Sequence, residues 1–429
     1  MKLIRRSQAE SKGARTGEAK LVRPGKPRRK WLRVIGIVAG FLVITITIIM
    51  ASIWTALGTR ASGERLERMQ SSSHYREDHF VNTLPAIQTG MSLSVAIDFF
   101  FKSNPYGTPK KSLPVVNRAG SDFATSPSSD LRVTWFGHSS LLVEIEGVRI
   151  LTDPVWSDRA APTSFMGPKR FHPVPIALED LPSLDAVVIS HDHYDHLDYE
   201  TITALANRVP RFIVPLGVGA HLEYWGIAPE RITELDWWEQ TELNGIDVVC
   251  TPARHFSGRF LNDRNATLWG SWAFIGKERR AFFSGDGALF PGFEEIGNRL
   301  GPFDIAMMEV GAYNAAWSDV HMGPEQSVRA ATMVRAKLML PIHWGTFNLA
   351  SHGWTEPAER AIVAAEKVNL PIVFPRPGES VTPDTSLPIE KWWPKLPWKR
   401  VEETPIVSTG MAASVERGSR HYQLALGQE

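Results

Sequence analysis

The stretch Ser190-His-Asp-His-Tyr-Asp-His-Leu197 places three histidines and two aspartates within six consecutive positions, directly after a short apolar run that predicts a buried strand. In an extended segment, residues i and i+2 point the same way, so His191 and His193 can face one ion together. Asp195 and His196 follow a bend and can face a second ion beside it. Because neutral imidazole and carboxylate suit zinc, the sequence predicts a metal centre here.

The single cysteine, Cys250, limits the chemistry of that centre. It excludes an internal disulfide and a thiolate-rich metal site, so the metal must be held by histidines and carboxylates. Because Cys250 ends the apolar run that begins at Asp247, we expect it to be a small buried core residue.

Hydrophobic periodicity predicts a layered α/β body with mixed sheets. The predicted strands are Leu131–Phe136, Ser140–Ile145, Val148–Thr152, Asp185–Ser190, Arg211–Pro215, Asp247–Thr251, Leu268–Ile275, Arg280–Ser284, Asp304–Val310 and Lys337–Ile342, and the predicted helices are Tyr199–Arg208, Pro324–Arg335 and Glu356–Val368. Polar residues follow five of these strands closely, namely Asp153, His191, His255, Asp286 and His343. Loops at strand ends are where rigid scaffolds present ligands, so these five are candidate site residues.

The pattern His191-x-His-x-Asp-His196 resembles the signature of the metallo-β-lactamase superfamily, and four further motifs of that superfamily match in order. They are Thr152-Asp-Pro around Asp153, Thr251-Pro-Ala-Arg-His255, Ser284-Gly-Asp-Gly around Asp286, and Pro341-Ile-His-Trp-Gly around His343. The resemblance implies an αββα four-layer sandwich with the site along one edge of its two sheets.

The ligand scheme of the superfamily implies two zinc ions per chain. Carried over to this sequence, it assigns His191, His193 and His255 to one ion, Asp195, His196 and His343 to the other, and Asp286 to a bridge between them. Asp153 is then expected to orient ligands and not to bind metal.

Longer stretches resemble the N-acyl-phosphatidylethanolamine-hydrolysing phospholipase D family, from about Leu131 to Gly378. They are Trp135-Phe-Gly-His-Ser, Leu151-Thr-Asp-Pro-Val, Met166-Gly-Pro-Lys-Arg-Phe, Glu234-Leu-Asp-Trp-Trp-Glu, Leu268-Trp-Gly-Ser-Trp, Phe293-Glu-Glu-Ile-Gly, Gly301-Pro-Phe-Asp and Ile342-His-Trp-Gly-Thr-Phe. The resemblance implies a phospholipid substrate cut to phosphatidic acid and an N-acylethanolamine, and it suggests a homodimer. Gly287-Ala-Leu289 departs from the Thr-Gly that usually follows the bridging aspartate in the family, so the rim that faces the substrate is expected to differ.

Two further histidines are candidates for the reaction itself. His321 either donates a proton to the leaving alkoxide, binds the phosphate, or is a helix-start histidine with local hydrogen bonds. His138 either touches the substrate or orients a ligand. We group His321 with Asp195 and Asp286 as the expected catalytic residues.

The N-terminal region predicts a membrane anchor. Residues 1–33 contain twelve Lys or Arg and two Glu, a net charge of +10, so the remainder carries −9 of the overall +1. A basic tail on an acidic body is unlike a nucleic-acid enzyme, so no nucleic-acid partner is expected. Val34–Leu57 has no charged residue over 24 positions, which predicts a transmembrane helix, with a cleaved signal peptide as the nearest alternative. The positive-inside rule then predicts a cytoplasmic N-terminus and a periplasmic catalytic domain, anchored at the inner membrane.

The predicted domains are a basic tail (1–33), a transmembrane helix (34–57), a stalk, linker and extension (58–129), a hydrolase domain (130–386) and a C-terminal strap or tail (387–429). In the last part, the segment from Lys391 to Arg400 interleaves Trp with basic residues, as membrane-interface segments do, but its prolines favour a strap lying on the domain. Two other functions stay open: a lactonase acting on a phosphosugar, and a non-catalytic membrane-anchored cell-envelope protein.

Overall fold

The structure, a computed structural model, describes residues 28–89, 104–125, 130–384 and 390–410. Most of the predicted basic tail, parts of the predicted extension and the end of the C-terminal tail lie outside the described residues. The chain forms two compact units, Met1–Ser52 and Ile53–Glu429, and each is described by itself.

Within the described residues, the first unit consists of helix α1 (Arg28–Ile53) up to Ser52. Its segment Lys30–Ala51 is long and apolar enough to cross a membrane, by length and composition. The helix ends four residues before the predicted end of the span at Leu57. Gly58, with φ of 78°, then closes a turn of the kind that commonly terminates helices.

The second unit is built on two mixed β-sheets. Its strands are β1 (Tyr75–Arg76), β2 (His79–Phe80), β3 (Leu131–Gly137), β4 (Ser140–Ile145), β5 (Val148–Thr152), β6 (Ala186–Val188), β7 (Phe212–Pro215), β8 (Ile232–Leu235), β9 (Gln240–Leu243), β10 (Ile246–Thr251), β11 (Ser271–Ile275), β12 (Arg280–Phe283), β13 (Ile305–Glu309), β14 (Met339–Ile342) and β15 (Ser380–Val381). Its α-helices are α2 (Glu64–Gln70), α3 (Tyr199–Leu205), α4 (Gly219–Tyr224), α5 (Gly292–Leu300), α6 (Pro324–Met333) and α7 (Glu356–Lys367). Short 3-10 helices lie at Gly120–Phe123, Leu178–Asp180, Pro229–Arg231 and Ala315–Trp317.

The order of strands in the first large sheet is β15-β3-β4-β5-β6-β7-β8, and in the second it is β14-β13-β12-β11-β10-β9. Alternation along the strands builds the layers: Leu141 and Val143 of β4 enter the core between the sheets, whereas Leu142 enters a second core with Ile202 of α3 and Leu222 of α4. Helices α5 to α7 contribute to the main core from the second sheet's side. The expected αββα four-layer sandwich is therefore confirmed.

The predicted strands and helices are all present, with ends that differ by a few residues. Cys250 is fully buried, as expected. Five short strands were missed. Strands β1 and β2 pair only with each other, and β8, β9 and β15 lie at the edges of the two large sheets. An edge strand is half solvated, so the sequences Ile-Thr-Glu-Leu and Gln-Thr-Glu-Leu of β8 and β9 carry no apolar run that could reveal them. Helices α4 and α5 were missed as well.

Residues on either side of the sandwich also pack onto it. Met69 and Phe80, which precede the first long strand, belong to the main core. In the C-terminal segment, Trp393 is buried, its indole N–H donates to Glu359 (2.9 Å), and Trp392 packs against Trp344. This packing favours the strap over the membrane-interface interpretation of that segment.

Strand directions bring the candidate residues to one edge. Strand β5 is parallel to β6, and β12, β13 and β14 are parallel to one another, so the carboxyl ends of the strands within each group coincide. The residues at or after these strand ends are His138 (β3), Asp153 (β5), His191–His196 (β6), His255 (β10), Asp286 (β12), Glu309 (β13) and His343 (β14).

Candidate metal centre

Three imidazole nitrogens meet at one side of this edge. His193 Nδ1 lies 2.8 Å from His191 Nε2 and 3.3 Å from His255 Nε2. His191 and His255 are fully buried. The three rings present their nitrogens to a common point, so they form one group that could hold a metal ion.

A second group lies beside the first and shares a carboxylate with it. Asp195 Oδ2 is 3.4 Å from His196 Nε2 and 3.3 Å from His343 Nε2. Asp286 Oδ2 is 3.2 Å from His196 Nε2 and 3.1 Å from His343 Nε2, and it is 4.0 Å from the Nε2 atoms of both His191 and His255. The structure thus brings all seven predicted ligands together, with one oxygen of Asp286 between the two groups.

The donor set fits metal ions. Tetrahedral zinc with bonds of about 2.0–2.1 Å places its ligand atoms about 3.3–3.4 Å apart, close to most of the separations in the second group. His196 Nε2 and Asp286 Oδ1 are buried and have no hydrogen-bond partner among the described residues. Buried polar atoms are almost always paired, so these two are best explained as atoms that face a ligand.

Asp153 lies behind the ligands and not among them. Its Oδ2 is 2.7 Å from His196 Nδ1, the ring nitrogen opposite the one that faces the second group. Both oxygens also accept from Ser190, from the hydroxyl at 2.6 Å and from the backbone N–H at 2.7 Å. Close approach of the loops requires Gly285, because a Cβ there would lie 2.6 Å from Ser190 Cβ. Asp153 therefore stands where an orienting residue would.

His138 occupies a similar supporting position. Its Nε2 is 2.9 Å from Asp195 Oδ2, and its ring is fully buried and packs 4.1 Å from the ring of His343. Its backbone has φ of 53°, held by a bond from its N–H to Thr346 Oγ1 (2.7 Å). Of the two predicted roles, orienting the Asp195 carboxylate agrees with this geometry.

His321 reaches the centre together with a residue that the sequence analysis missed. The Nδ1 of His321 is hydrogen bonded to Glu309 Oε1 and lies 3.9 Å from Asp286 Oδ2. Glu309 is fully buried, and its Oε2 accepts from the Gly287 N–H at 2.7 Å. A signal was present, since Glu309 is the only charged residue in the strand Ile-Ala-Met-Met-Glu, which is otherwise apolar.

The departure at Gly287-Ala-Leu289 lies in buried structure. Ala288 and Leu289 are buried, and Leu289 belongs to the main core. The segment therefore supports Glu309 through the Gly287 N–H and fills the core, while the expectation of an altered substrate rim stays a prediction.

Burial and the local negative charge set the protonation of the centre. Burial lowers the pKa of His193 to about 4 and that of His138 to about 3, which leaves both rings neutral at neutral pH. Burial alone would lower the pKa of His343, but Asp286 and Asp195 raise it to about 10. Neutral imidazole is the ligand form, and the charge that draws a proton to His343 is the charge that a metal cation would balance.

The pKa values of two buried acids at the centre, Asp286 and Glu309, are shifted in opposite directions. Burial alone would raise the pKa of Asp286, but His196 and His343 hold it well below its ordinary value. Burial, followed by the charge of Asp286, raises the pKa of Glu309 well above its ordinary value. Asp286, a member of the seven-residue cluster, is therefore held as the anion, whereas Glu309 is favoured as the protonated acid.

Known proteins resemble this chain over the region that carries the centre. A family model described as "Beta-lactamase superfamily domain" matches residues 148–344. An uncharacterised protein of Mycobacterium tuberculosis (strain H37Rv) is 46% identical over 346 residues, which cover 79% of this chain and 91% of that protein. The N-acyl-phosphatidylethanolamine-hydrolyzing phospholipase D 1 of Caenorhabditis elegans is 44% identical over 261 residues, which cover 58% of this chain and 73% of that enzyme. The mitochondrial enzyme of that name in Saccharomyces cerevisiae is 32% identical over 243 residues, covering 54% and 51%.

The position of Asp153 leads to a test of metal affinity. Asp153→Asn replaces the carboxylate that accepts from His196 Nδ1 with a weaker acceptor. We therefore expect metal affinity to fall about 10- to 100-fold, as for other residues that orient ligands. Competition with a chelator measures this. Asp304→Asn is the matched control, because Asp304 is also buried and hydrogen bonded but precedes β13, at the opposite end of that strand from Glu309. Equal affinities in the two variants would contradict an orienting role.

Proposed function

Because the chain belongs to the metallo-β-lactamase superfamily, within which it is related to the N-acyl-phosphatidylethanolamine-hydrolysing phospholipases D, we propose that it is a membrane-anchored phosphodiesterase of phospholipase D type. The chain is a metal-dependent hydrolase. Its proposed substrates are phospholipids like N-acyl-phosphatidylethanolamine. The observation that carries the proposal is the sharing of Asp286 between two groups of ligands, because a paired metal site can stabilise both the attacking and the leaving oxygen of a displacement at phosphorus. Intact ligand groups also argue against the non-catalytic alternative.

We assign two zinc ions to the centre. His191, His193 and His255 would hold one, Asp195, His196 and His343 the other, and Asp286 both. When bound, two zinc ions supply positive charge for the phosphate oxygens and bring the pKa of a coordinated water towards neutrality. Asp153 and His138 fix the ring of His196 and the carboxylate of Asp195 before any substrate arrives.

The protein's own residues can then protonate the departing head group. The oxygen of one water molecule bonds to phosphorus and the bond from phosphorus to the head-group oxygen breaks. His321 gives that alkoxide a proton, and the proton that the water loses restores His321. Burial and the charge of Asp286 raise the pKa of Glu309, so its carboxyl O–H donates to Nδ1 of His321. The neutral ring then carries its proton on Nε2, the nitrogen able to serve the leaving oxygen. The products are phosphatidic acid and an N-acylethanolamine.

The proposed setting is the membrane. Helix α1 supplies an apolar segment of suitable length, and the basic N-terminal residues favour a cytoplasmic N-terminus with the catalytic unit on the periplasmic side of the inner membrane. A phospholipid substrate agrees with that location. A homodimer is proposed on the family resemblance alone.

Metal content tests the ligand assignment. The full chain in mild detergent should contain about two zinc ions, and His255→Ala and His343→Ala should each reduce this to about one, since each removes a ligand from a different group. Asp286→Ala should lower the occupancy of both. His74→Ala, a partly buried histidine outside the cluster, should keep both ions, by elemental analysis. A ligand variant that retains two ions would show its assignment to be wrong.

Isotope labelling tests which bond is cut. In water enriched in heavy oxygen, attack at phosphorus should place the label on phosphatidic acid and leave the N-acylethanolamine unlabelled. Mass spectrometry of both products distinguishes the outcomes. Label in the alcohol, or a phosphorylated head group among the products, would rule out the proposed cut.

The role of His321 can be tested by the choice of leaving group. His321→Ala should slow hydrolysis of the lipid by about 10²- to 10⁴-fold, because its alkoxide needs a proton. An activated aryl phosphodiester, whose leaving group is stable as an anion, should be slowed far less by the same variant. Turnover rates at equal metal content provide the comparison. Equal losses on both substrates would point to phosphate binding instead of proton donation.

A further inference from the structure

One surface loop carries apolar side chains that the fold leaves uncovered. Leu261 is 93% exposed and Phe260 is 42% exposed, in the loop that follows the metal-binding segment of His255. Trp54, directly after helix α1 in the sequence, is 61% exposed. Large apolar residues exposed in this way, when grouped, mark contact sites for other molecules.

Hydrogen bonds fasten this loop to the segment that follows α1. The side chain of Arg60 donates to the carbonyl of Asn262, and the Nη2 and Nε atoms of Arg259 donate to the carbonyl of Ala56 at 2.7 and 3.2 Å. Trp54, Leu57 and Phe260 are among the residues that line a hollow of about 230 Å³. The loop and the segment 54–60 are therefore held together by these contacts.

The segment 54–60, to which the loop is fastened, follows the proposed membrane span directly in the chain. Seven residues lead from Ile53, the last residue of α1, to Arg60, and seven residues reach at most about 25 Å. Asp263 turns its carboxylate inward, where it accepts from the backbone of Arg259 and Phe260, while Arg60 and Arg264 are exposed. The outward surface is thus apolar at its tip and basic at its flanks, the pattern that suits an interface with phospholipid head groups.

We propose that the tip formed by Phe260 and Leu261 enters the outer leaflet of the bilayer and thereby holds the metal centre at the membrane surface. The inference rests on the proposed membrane anchor but not on the identity of the lipid that is hydrolysed. The partner of this apolar tip is the phospholipid bilayer, because the loop that carries the tip is hydrogen bonded to the segment that follows α1.

Contacts at the base of the loop connect the tip to the ligands. Arg259 Nη1 donates to the carbonyls of Asp192 (2.6 Å) and Leu197 (2.9 Å), and three predicted ligands lie between these two residues, namely His193, Asp195 and His196. The hydroxyl of Tyr194 donates to the Arg259 carbonyl at 2.6 Å. An inserted tip would therefore fix the height of the centre above the leaflet through a short chain of hydrogen bonds.

Depth-dependent fluorescence quenching tests the insertion on the full chain. Leu261→Cys accepts a thiol-reactive, environment-sensitive dye, since the native Cys250 is fully buried. The labelled protein is reconstituted into vesicles of phosphatidylethanolamine and phosphatidylglycerol, with or without a lipid that carries a spin label near the top of its acyl chain. We expect a blue-shifted emission that is lost when the spin-labelled lipid is present. Phe260→Cys should behave in the same way.

Glu278→Cys is the matched control. Glu278 is exposed in the turn between β11 and β12, at the opposite end of β11 from the metal centre, so its dye should show neither shift nor quenching. An unquenched Leu261 dye on a protein that floats with the vesicles would overturn the inference. A blue shift without quenching that grows with the protein-to-lipid ratio would show that a second copy covers the tip, and would overturn it too.

The outcome does not depend on catalysis. Quenching is measured without substrate, so a protein that lacks phospholipase activity can still show an inserted tip, and an active one can show an exposed tip. A chain that stays off the vesicles would overturn the anchor and the inference together.

Discussion

One carboxylate oxygen, Asp286 Oδ2, lies within 4.0 Å of ring nitrogens from both ligand groups, and the centre is arranged around it. Collecting two aspartates and five imidazoles in a buried space is unfavourable without a compensating cation. A metal ion contributes that compensation only when its ligands are already close, so the chain must first bring them together. Parallel strands do this, because their rigid carboxyl ends coincide at one edge of each sheet.

Buried tryptophans explain how the loops at that edge keep their positions. The indole N–H of Trp272 donates to the carbonyl of Ile189 at 3.0 Å, that of Trp269 to Ala253 at 3.1 Å, and that of Trp135 to His138 at 2.9 Å. Each carbonyl lies at, or one or two residues before, a residue of the centre. Phenylalanine lacks this N–H, so at Trp272 or Trp269 it would leave the Ile189 or Ala253 carbonyl without its indole donor, at a cost of about 1–3 kcal/mol. The His138 carbonyl also accepts from the His343 N–H, at 3.1 Å. The Trp-rich stretches that resemble the phospholipase family therefore support the loops, and they do not by themselves define a substrate.

The sequence predicted the parts of this architecture that depend on local pattern. Central strands show continuous apolar runs, and the His-x-His-x-Asp-His spacing groups four ligands within one loop. Edge strands such as β9 escaped because half of their residues face water. Glu309 escaped for another reason: its partner His321 lies twelve residues further on, and only the fold brings the two side chains together. Periodicity reports which face a residue occupies, not which distant residue it meets there.

The same alternation that groups the ligands has a second consequence. If His191 and His193 face the metal side of an extended segment, Asp192 and Tyr194 must face away from it. Asp192 accepts from the Gly258 N–H at 2.7 Å and from the hydroxyl of Thr267 at 2.9 Å, while Tyr194 packs against the guanidinium of Arg259. Arg259 in turn holds the carbonyl of Ala56, three residues after the end of α1. The loop from His191 to His196 thus faces the metal centre on one side and is linked through Arg259 to the segment after α1 on the other, so the backbone that carries the ligands and that segment share one set of contacts.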